Sequence, residues 1–178
     1  MEIQVLDKKF VPYISEQDIQ KRIEAMAEEI SQDYAGKELL CLGILNGSFI
    51  FAADLFKRIQ IPAAISFIKL ASYKGTSSTG TVITAIGLEE DLNGKEVLII
   101  EDIVDTGKTL TAFLPALLKQ NPNTVKICTL LQKPEALQYP VEVDYVGFSI
   151  PNKFVVGYGL DYDGYGRNYP EIYQILNA

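Results

Sequence analysis

The sequence contains no histidine in its 178 residues. Imidazole chemistry and imidazole metal ligation are therefore excluded. Any proton acceptor working near neutral pH has to be a carboxylate or a perturbed Lys, Tyr or Cys. Cysteine is scarce: Cys41 and Cys128 are the only two, each inside an apolar strand-like run. Their spacing matches no zinc pattern, and both read as small buried core residues of a protein held in a reducing cytoplasm. Positive charge is in deficit, with 16 Lys and Arg against 23 Asp and Glu and a formal net charge of −7. No basic stripe stands out against that balance, which argues against nucleic-acid and anionic-membrane partners. No apolar run approaches the length that crosses a bilayer. The opening Met1-Glu2-Ile3-Gln4-Val5 lacks the basic and apolar regions of a signal peptide.

What is present is an ordinary globular composition, 48% hydrophobic and 22% charged. The length suits one core and is short for two, so residues 1–178 read as a single domain without repeats or linkers. Ser15 to Asp18 has the pattern of a capped helix start, and Ile19, Ile23, Met26, Ala27 and Ile30 then share one helical face. Residues 38–45 predict a buried strand. Residues 48–59 predict a helix with Phe49, Ala52, Ala53 and Phe56 inward. Residues 63–70 predict a strand, and 71–81, rich in Ser, Thr and Gly, a mobile loop. Residues 82–87 predict a strand forming the far arm of a long hairpin. After the turn at 92–95 come a strand, a helix over 109–119, and strands over 125–131 and 145–150. The tail, with Tyr158, Tyr162, Tyr165, Tyr169 and Tyr173 among glycines, reads as an irregular flap. Alternating strands and helices place the fold in the α/β class with a mainly parallel sheet.

The most informative segment runs from Val97 to Leu110. Val97 to Ile100 is a continuous apolar run, as expected of a buried parallel strand. Glu101 and Asp102 interrupt it where the strand is expected to end, and Asp105 follows. Ligands of open α/β sheets bind outside the carboxyl ends of strands. Thr106-Gly107-Lys108-Thr109 then forms a tight turn into a helix. Gly107 permits a positive φ or a close approach, and the N–H groups of the next turn make an anion cradle. Such a segment holds a sugar phosphate with carboxylates beside it. A plainer reading makes Asp105 only a helix N-cap. A Walker A loop fails, because Asp102 stands where its first glycine is required. A dinucleotide fingerprint at Gly157-Tyr158-Gly159 fails too, because Tyr162 replaces the third glycine.

The segment from Val97 to Leu110 resembles the phosphoribosyl diphosphate motif of the type I phosphoribosyltransferases. Four further segments, in order, resemble the branch of that family that acts on 6-oxopurines, over about residues 39–169. Ile44-Leu45-Asn46-Gly47-Ser48 is similar to the diphosphate loop, which holds the leaving group through backbone N–H groups. The family often has a cis bond between the positions of Leu45 and Asn46. Many members carry Lys where this chain has Asn46, so a charged side-chain contribution is absent here. On its own the segment is also a simple Asn-Gly turn. Ala71-Ser72-Tyr73-Lys74-Gly75-Thr76 resembles the lid that closes over the reaction centre, with Ser72 and Tyr73 as its pair, although composition alone suggests a surface hairpin tip. Lys133, before Pro134, matches the lysine that donates to the purine 6-oxo group. Asp144 to Tyr162 is the longest match.

That resemblance implies a type I phosphoribosyltransferase-like sheet, with a core at about 36–150 and a small hood from the N-terminal segment and about 151–178. Phe154 would stack on the purine, the Val155 backbone would read the base edge, and Asp161, at the purine end, would help place a second Mg²⁺. Leu45, Asn46, Gly47 and Arg167 would hold diphosphate. Glu101 and Asp102 would hold ribose hydroxyls and Mg²⁺ waters. Thr106, Gly107, Lys108 and Thr109 would hold the 5-phosphate, and Asp105 would be the catalytic base. The implied reaction moves phosphoribosyl from phosphoribosyl diphosphate to N9 of hypoxanthine or guanine, in a cytoplasmic homodimer or homotetramer. Two alternatives remain: a sibling enzyme for another base such as xanthine, and a non-catalytic regulator that senses phosphoribosyl diphosphate.

Overall fold

The computed structural model describes residues 1–74 and 81–176, with the side chains of residues 71–74 and 81–86 outside the description. Its centre is a six-stranded sheet. Strands β3 (Leu39–Leu45), β4 (Ala63–Lys74), β6 (Glu96–Val104), β7 (Thr124–Gln132) and β8 (Tyr145–Ser149) run parallel, and β5 (Thr81–Ile86) pairs antiparallel with β4 at one edge. The order is β5-β4-β3-β6-β7-β8. Helix α1 (Glu16–Asp33) starts as expected, with Ser15 accepting from the Asp18 N–H, and buries the five apolar residues of its predicted face. Helices α2 (Phe49–Phe56) and α3 (Lys108–Leu118) follow β3 and β6.

Both sheet faces are covered, which explains the unbroken apolar runs. Strand alternation divides each run between two cores. Leu39, Cys41, Leu98, Ile100 and Cys128 join α1 and α2 in one; Leu40, Leu42, Ile44, Val97 and Ile99 join α3 in the other. Both cysteines are fully buried and free.

A second, antiparallel sheet forms the hood, in the order β1-β2-β10-β9. It joins β1 (Ile3–Val5) and β2 (Lys8–Ile14) to β9 (Val155–Val156) and β10 (Ile172–Ile175). Val5, Phe10, Val156 and Tyr173 form its core.

Several expected elements differ. β6 does not stop at its acids; it continues to Val104, because backbone pairing to β7 resumes at Ile103 and Val104 whatever side chains intervene. α2 buries Phe51, Ala52 and Leu55, while Phe49 is 43% exposed and Ala53 also faces outward. The segment Phe-Ile-Phe-Ala-Ala-Asp-Leu-Phe is apolar almost all round, so the pattern fixes no face. Residues 71–74 extend β4 and pair with β5 instead of forming loop. The tyrosine-rich tail contributes two strands, and Tyr158 and Tyr173 are buried.

Candidate active site

The acids sit at the carboxyl end of β6. Glu101 is buried opposite Thr129 of β7. Burial, with the Asp102 charge adding, pushes its carboxyl well above the usual carboxylate range. Burial raises Asp102 as well, although its Oδ1 accepts from the Ile103 N–H at 2.7 Å. Two adjacent desolvated carboxyls make a site that favours a cation.

The loop after β3 closes on this pair. The Leu45–Asn46 peptide bond is cis. A Cβ at Gly47 would collide with the Asp102 carboxylate, and a Cβ at Gly159 would collide with the Gly47 carbonyl oxygen. The Leu45–Ser48 loop, the acid pair and the tail loop around Gly159 are therefore stacked in direct contact. Arg167 ties in the next residues: Nη1 donates to the Gly159 carbonyl at 2.6 Å, and Nη2 lies 3.0 Å from Asp161 Oδ1. Asp161 Oδ2 accepts from the Gly164 N–H at 2.7 Å.

After β6 the chain turns at Gly107, with φ +80°, into α3. A Cβ there would come within 2.8 Å of the Tyr139 carbonyl oxygen, so glycine is needed on both counts. Thr106 Oγ1 accepts from the Lys108 N–H at 3.3 Å, and the Thr106 carbonyl accepts from the N–H groups of Gln138 and Tyr139 at 3.0 and 3.1 Å. Residues Glu101 and Ile103 to Leu110 line a cavity of about 100 Å³, room for a phosphate-sized group at a helix N-terminus. Lys108 and Thr109 are exposed beside it.

Asp105 is half exposed at the mouth of this loop, and Lys133 Nζ lies 3.4 Å from its Oδ2. Lys133 is not a solvated strand-end lysine: only 6% of it is exposed, and its N–H donates to the Val104 carbonyl at 3.0 Å. A buried lysine beside one carboxylate presents a donor and an acceptor together.

Phe154 and Val155 belong to the hood. Phe154 is 42% exposed, its ring 6.2 Å from Phe10 and edge-on to Tyr162 at 5.8 Å. Val155 is buried on β9. Tyr162 donates to Asp7 at 2.9 Å, and the Lys8 ammonium lies 5.5 Å above its ring. No sequence signal connects Tyr162 to Asp7, which are 155 residues apart. Ser72 and Tyr73 lie on β4, opposite Ile83 and Val82, with their side chains outside the description; Gly75 and Thr76 of the expected lid lie outside the described residues.

Among the described residues no three His, Cys, Asp or Glu side chains stand close enough to cage a metal. The donors at Glu101 and Asp102 are all oxygen and only two residues wide. That fits Mg²⁺, which keeps waters and takes one or two carboxylates together with phosphates. A larger concavity, about 540 Å³, opens at the opposite end of the sheet between Lys37, Leu39, Ala63 and Glu96. Its acids, Glu38 and Glu96, are not consecutive, and Glu96 is already hydrogen-bonded by Asn123 and Thr124, so volume does not choose the site.

The Phosphoribosyl transferase domain family model matches residues 14–163. The chain is similar to the hypoxanthine-guanine phosphoribosyltransferase of Aquifex aeolicus, 40% identical over 97% of this chain and 98% of that one. It is 43% identical to the hypoxanthine phosphoribosyltransferase of Buchnera aphidicola, over 92% and 94% of the two chains. Among solved structures, a hypoxanthine phosphoribosyltransferase from Staphylococcus aureus superposes with a TM-score of 0.86 at 40% identity, covering 93% of this chain and 91% of that one. A hypoxanthine-guanine phosphoribosyltransferase from Bacillus anthracis gives 0.85 at 36% identity, covering 93% and 96%. Similarity at this level spans both sheets and every loop that meets at the acid pair, and the chain belongs to the phosphoribosyltransferase family.

Proposed function

We propose that the protein is a purine salvage enzyme. It moves the 5-phosphoribosyl group from phosphoribosyl diphosphate to N9 of hypoxanthine or guanine, giving IMP or GMP and diphosphate. The observation that carries this reading is the Lys133–Asp105 pair. A buried ammonium suits the 6-oxo group, and the carboxylate beside it suits the N7 proton. Adenine presents an amino donor at C6, which faces the Lys133 donor and leaves both donors unpaired; sites built this way reject the wrong analogue by ~10⁴ or more. The names of the relatives point to the same bases.

The turn Thr106-Gly107-Lys108-Thr109 binds the 5-phosphate, and the backbone of Leu45, Asn46 and Gly47 with Arg167 binds diphosphate. Phe154 stacks on the base, whose edge is read by the Val155 backbone. Ser72 and Tyr73 close over the reaction centre and exclude water. N9 attacks C1′, and diphosphate leaves with the C1′–O electron pair. The N7 proton, made acidic as N9 bonds carbon, passes to Asp105. Glu101 and Asp102 stabilise positive charge developing on the ribose and orient its hydroxyls. Glu101 and Asp102 would hold Mg²⁺, and Asp161 a second one; bound there, the metal would supply charge neutralisation for the diphosphate. The enzyme is one domain, cytoplasmic, and a homodimer or homotetramer, with no nucleic-acid or membrane partner.

A steady-state assay with Mg²⁺ and phosphoribosyl diphosphate against hypoxanthine, guanine, xanthine and adenine tests the reading. Nucleotide forms from hypoxanthine or guanine and is lost on chelation. Turnover of adenine at a comparable rate would overturn the assignment of Lys133. A chain that binds phosphoribosyl diphosphate and turns over none of the four is a regulator or acts on a base outside this panel.

A further inference from the structure

Tyr158 occupies an unusual position. Its φ is +50°, between Gly157 at +98° and Gly159 at +97°. Glycines tolerate that region; a tyrosine enters it at a steric cost that its surroundings must offset. The surroundings are specific. The side chain, only 2% exposed, runs beneath the loop, and its hydroxyl donates to Asp54 of α2. Gln20 of α1 donates to the same Asp54 oxygen at 3.0 Å, and Arg58 Nη2 donates to Gln20 Oε1 at 2.9 Å. Lys57 Nζ lies 2.6 Å from the other Asp54 oxygen.

The two ends of this contact lead to the two walls of the diphosphate site. Asp54 belongs to α2, which begins directly after the Leu45–Ser48 loop. Tyr158 immediately precedes Gly159, the residue packed on the Gly47 carbonyl and held by Arg167. Asp161 follows two residues later. A rotation of the tail loop away from Gly47 would carry Gly159, Asp161 and Arg167 with it.

We propose that the Tyr158–Asp54 hydrogen bond is a positioning contact for the transfer reaction, pinning the tail loop to the helix that carries the diphosphate loop so that both walls grip one diphosphate–Mg²⁺ unit. The proposal rests on the functional reading above. Neither residue touches substrate; both act through Gly159 and Asp161. Lys133 and Asp105, the donor and acceptor of the base site, are bonded to each other and to neither Tyr158 nor Asp54, so the effect falls on the diphosphate and not on the base.

The test uses the full chain and three variants, Tyr158→Phe, Asp54→Ala and Asp54→Asn. Titration calorimetry with inorganic diphosphate and Mg²⁺ reads the wall directly, without turnover. Tyr158→Phe keeps the ring and removes the donor. It weakens diphosphate–Mg²⁺ binding about tenfold, the size expected for one hydrogen bond to a charged acceptor. The KM for phosphoribosyl diphosphate rises by the same factor, and the KM for hypoxanthine stays unchanged. Asp54→Ala repeats this pattern. Asp54→Asn keeps an acceptor oxygen and restores affinity toward wild type. Unchanged diphosphate affinity in Tyr158→Phe overturns the proposal, as does a parallel rise of both KM values, which marks a general structural role. Where Tyr158→Phe fails to fold, the contrast between Asp54→Ala and Asp54→Asn decides. If the wild type binds diphosphate–Mg²⁺ yet forms no nucleotide, the functional reading fails, and the positioning contact is judged on the calorimetry alone.

Discussion

β6 carries a buried glutamate at its amino end and another three residues before its last residue, Val104, and the two are treated in opposite ways. Glu96, at the amino end, is surrounded by donors: the Thr124 hydroxyl, Asn123 Nδ2 at 2.6 Å and Lys37 Nζ at 3.4 Å. The Thr124 hydrogen bond leads these in holding its carboxyl below the usual range, against burial. Glu101, toward the carboxyl end, is desolvated and has a second acid as its neighbour; burial first and the Asp102 charge second push its carboxyl far up. One strand and one residue type produce a carboxylate satisfied within the fold and a carboxylate left for something else to satisfy. The difference separates the two ends of the sheet chemically where pocket size does not.

The comparison can be broken by substitution. The largest effect is expected at Asp105, just past the unsatisfied end. Asp105→Asn should lower turnover by roughly 10²–10⁴-fold while leaving phosphoribosyl diphosphate affinity close to wild type; unchanged turnover in a single-turnover assay removes Asp105 from proton transfer. Glu101→Gln should lower turnover on the order of 10²-fold. The same change relieves a desolvated acid pair, so the melting temperature of the ligand-free protein should rise by about 2–4 °C, corresponding to ~1 kcal/mol. A lower melting temperature would mean that Glu101 stabilises the fold.

Glu96→Gln should do the reverse: normal turnover and a stability loss of about 1–2 kcal/mol from weakened charge-assisted bonds. The pH dependence has a definite sign. The carboxyl of Glu96 is lower in the folded than in the unfolded chain, so its contribution is present above the unfolded value of about 4.3 and is lost as pH falls through the folded one. Melting curves of wild type and Glu96→Gln should therefore converge in acid. The smallest effect is expected at Lys37, half exposed at the same end: Lys37→Met should cost under about 1 kcal/mol and less in high salt.

Much of the functional end was legible, because its signals are local. The apolar run Val97 to Ile100, the acids after it and the glycine turn are consecutive, and the structure places Gly107 in the positive-φ turn that the pattern demanded. The exact end of β6 was not legible, because ladder pairing at Ile103 and Val104 depends on the neighbouring strand. The buried face of α2 was hidden by its uniform apolarity. The burial of Lys133 had no sequence signal beyond the family resemblance. The hood was the least legible region by local pattern. Its pairings join Phe10 to Ile175 and Val11 to Gln174, and no local periodicity reports a partner that distant.

That hood pairing also orders events in time. During synthesis the Gly107 turn and the Leu45–Ser48 loop leave the ribosome well before Phe154, and β2 waits for β10 before its second edge is covered. Domains fold as their segments emerge, and closing such a distant contact comes late. A nascent chain stalled before β10 would already contain the acid pair and the Gly107 turn while lacking the strand that pairs with β9 beside Phe154. The unpaired edge of β2 is then an open template for strand exchange with a neighbouring nascent chain, so the rate at which the last strand docks governs yield as well as activity.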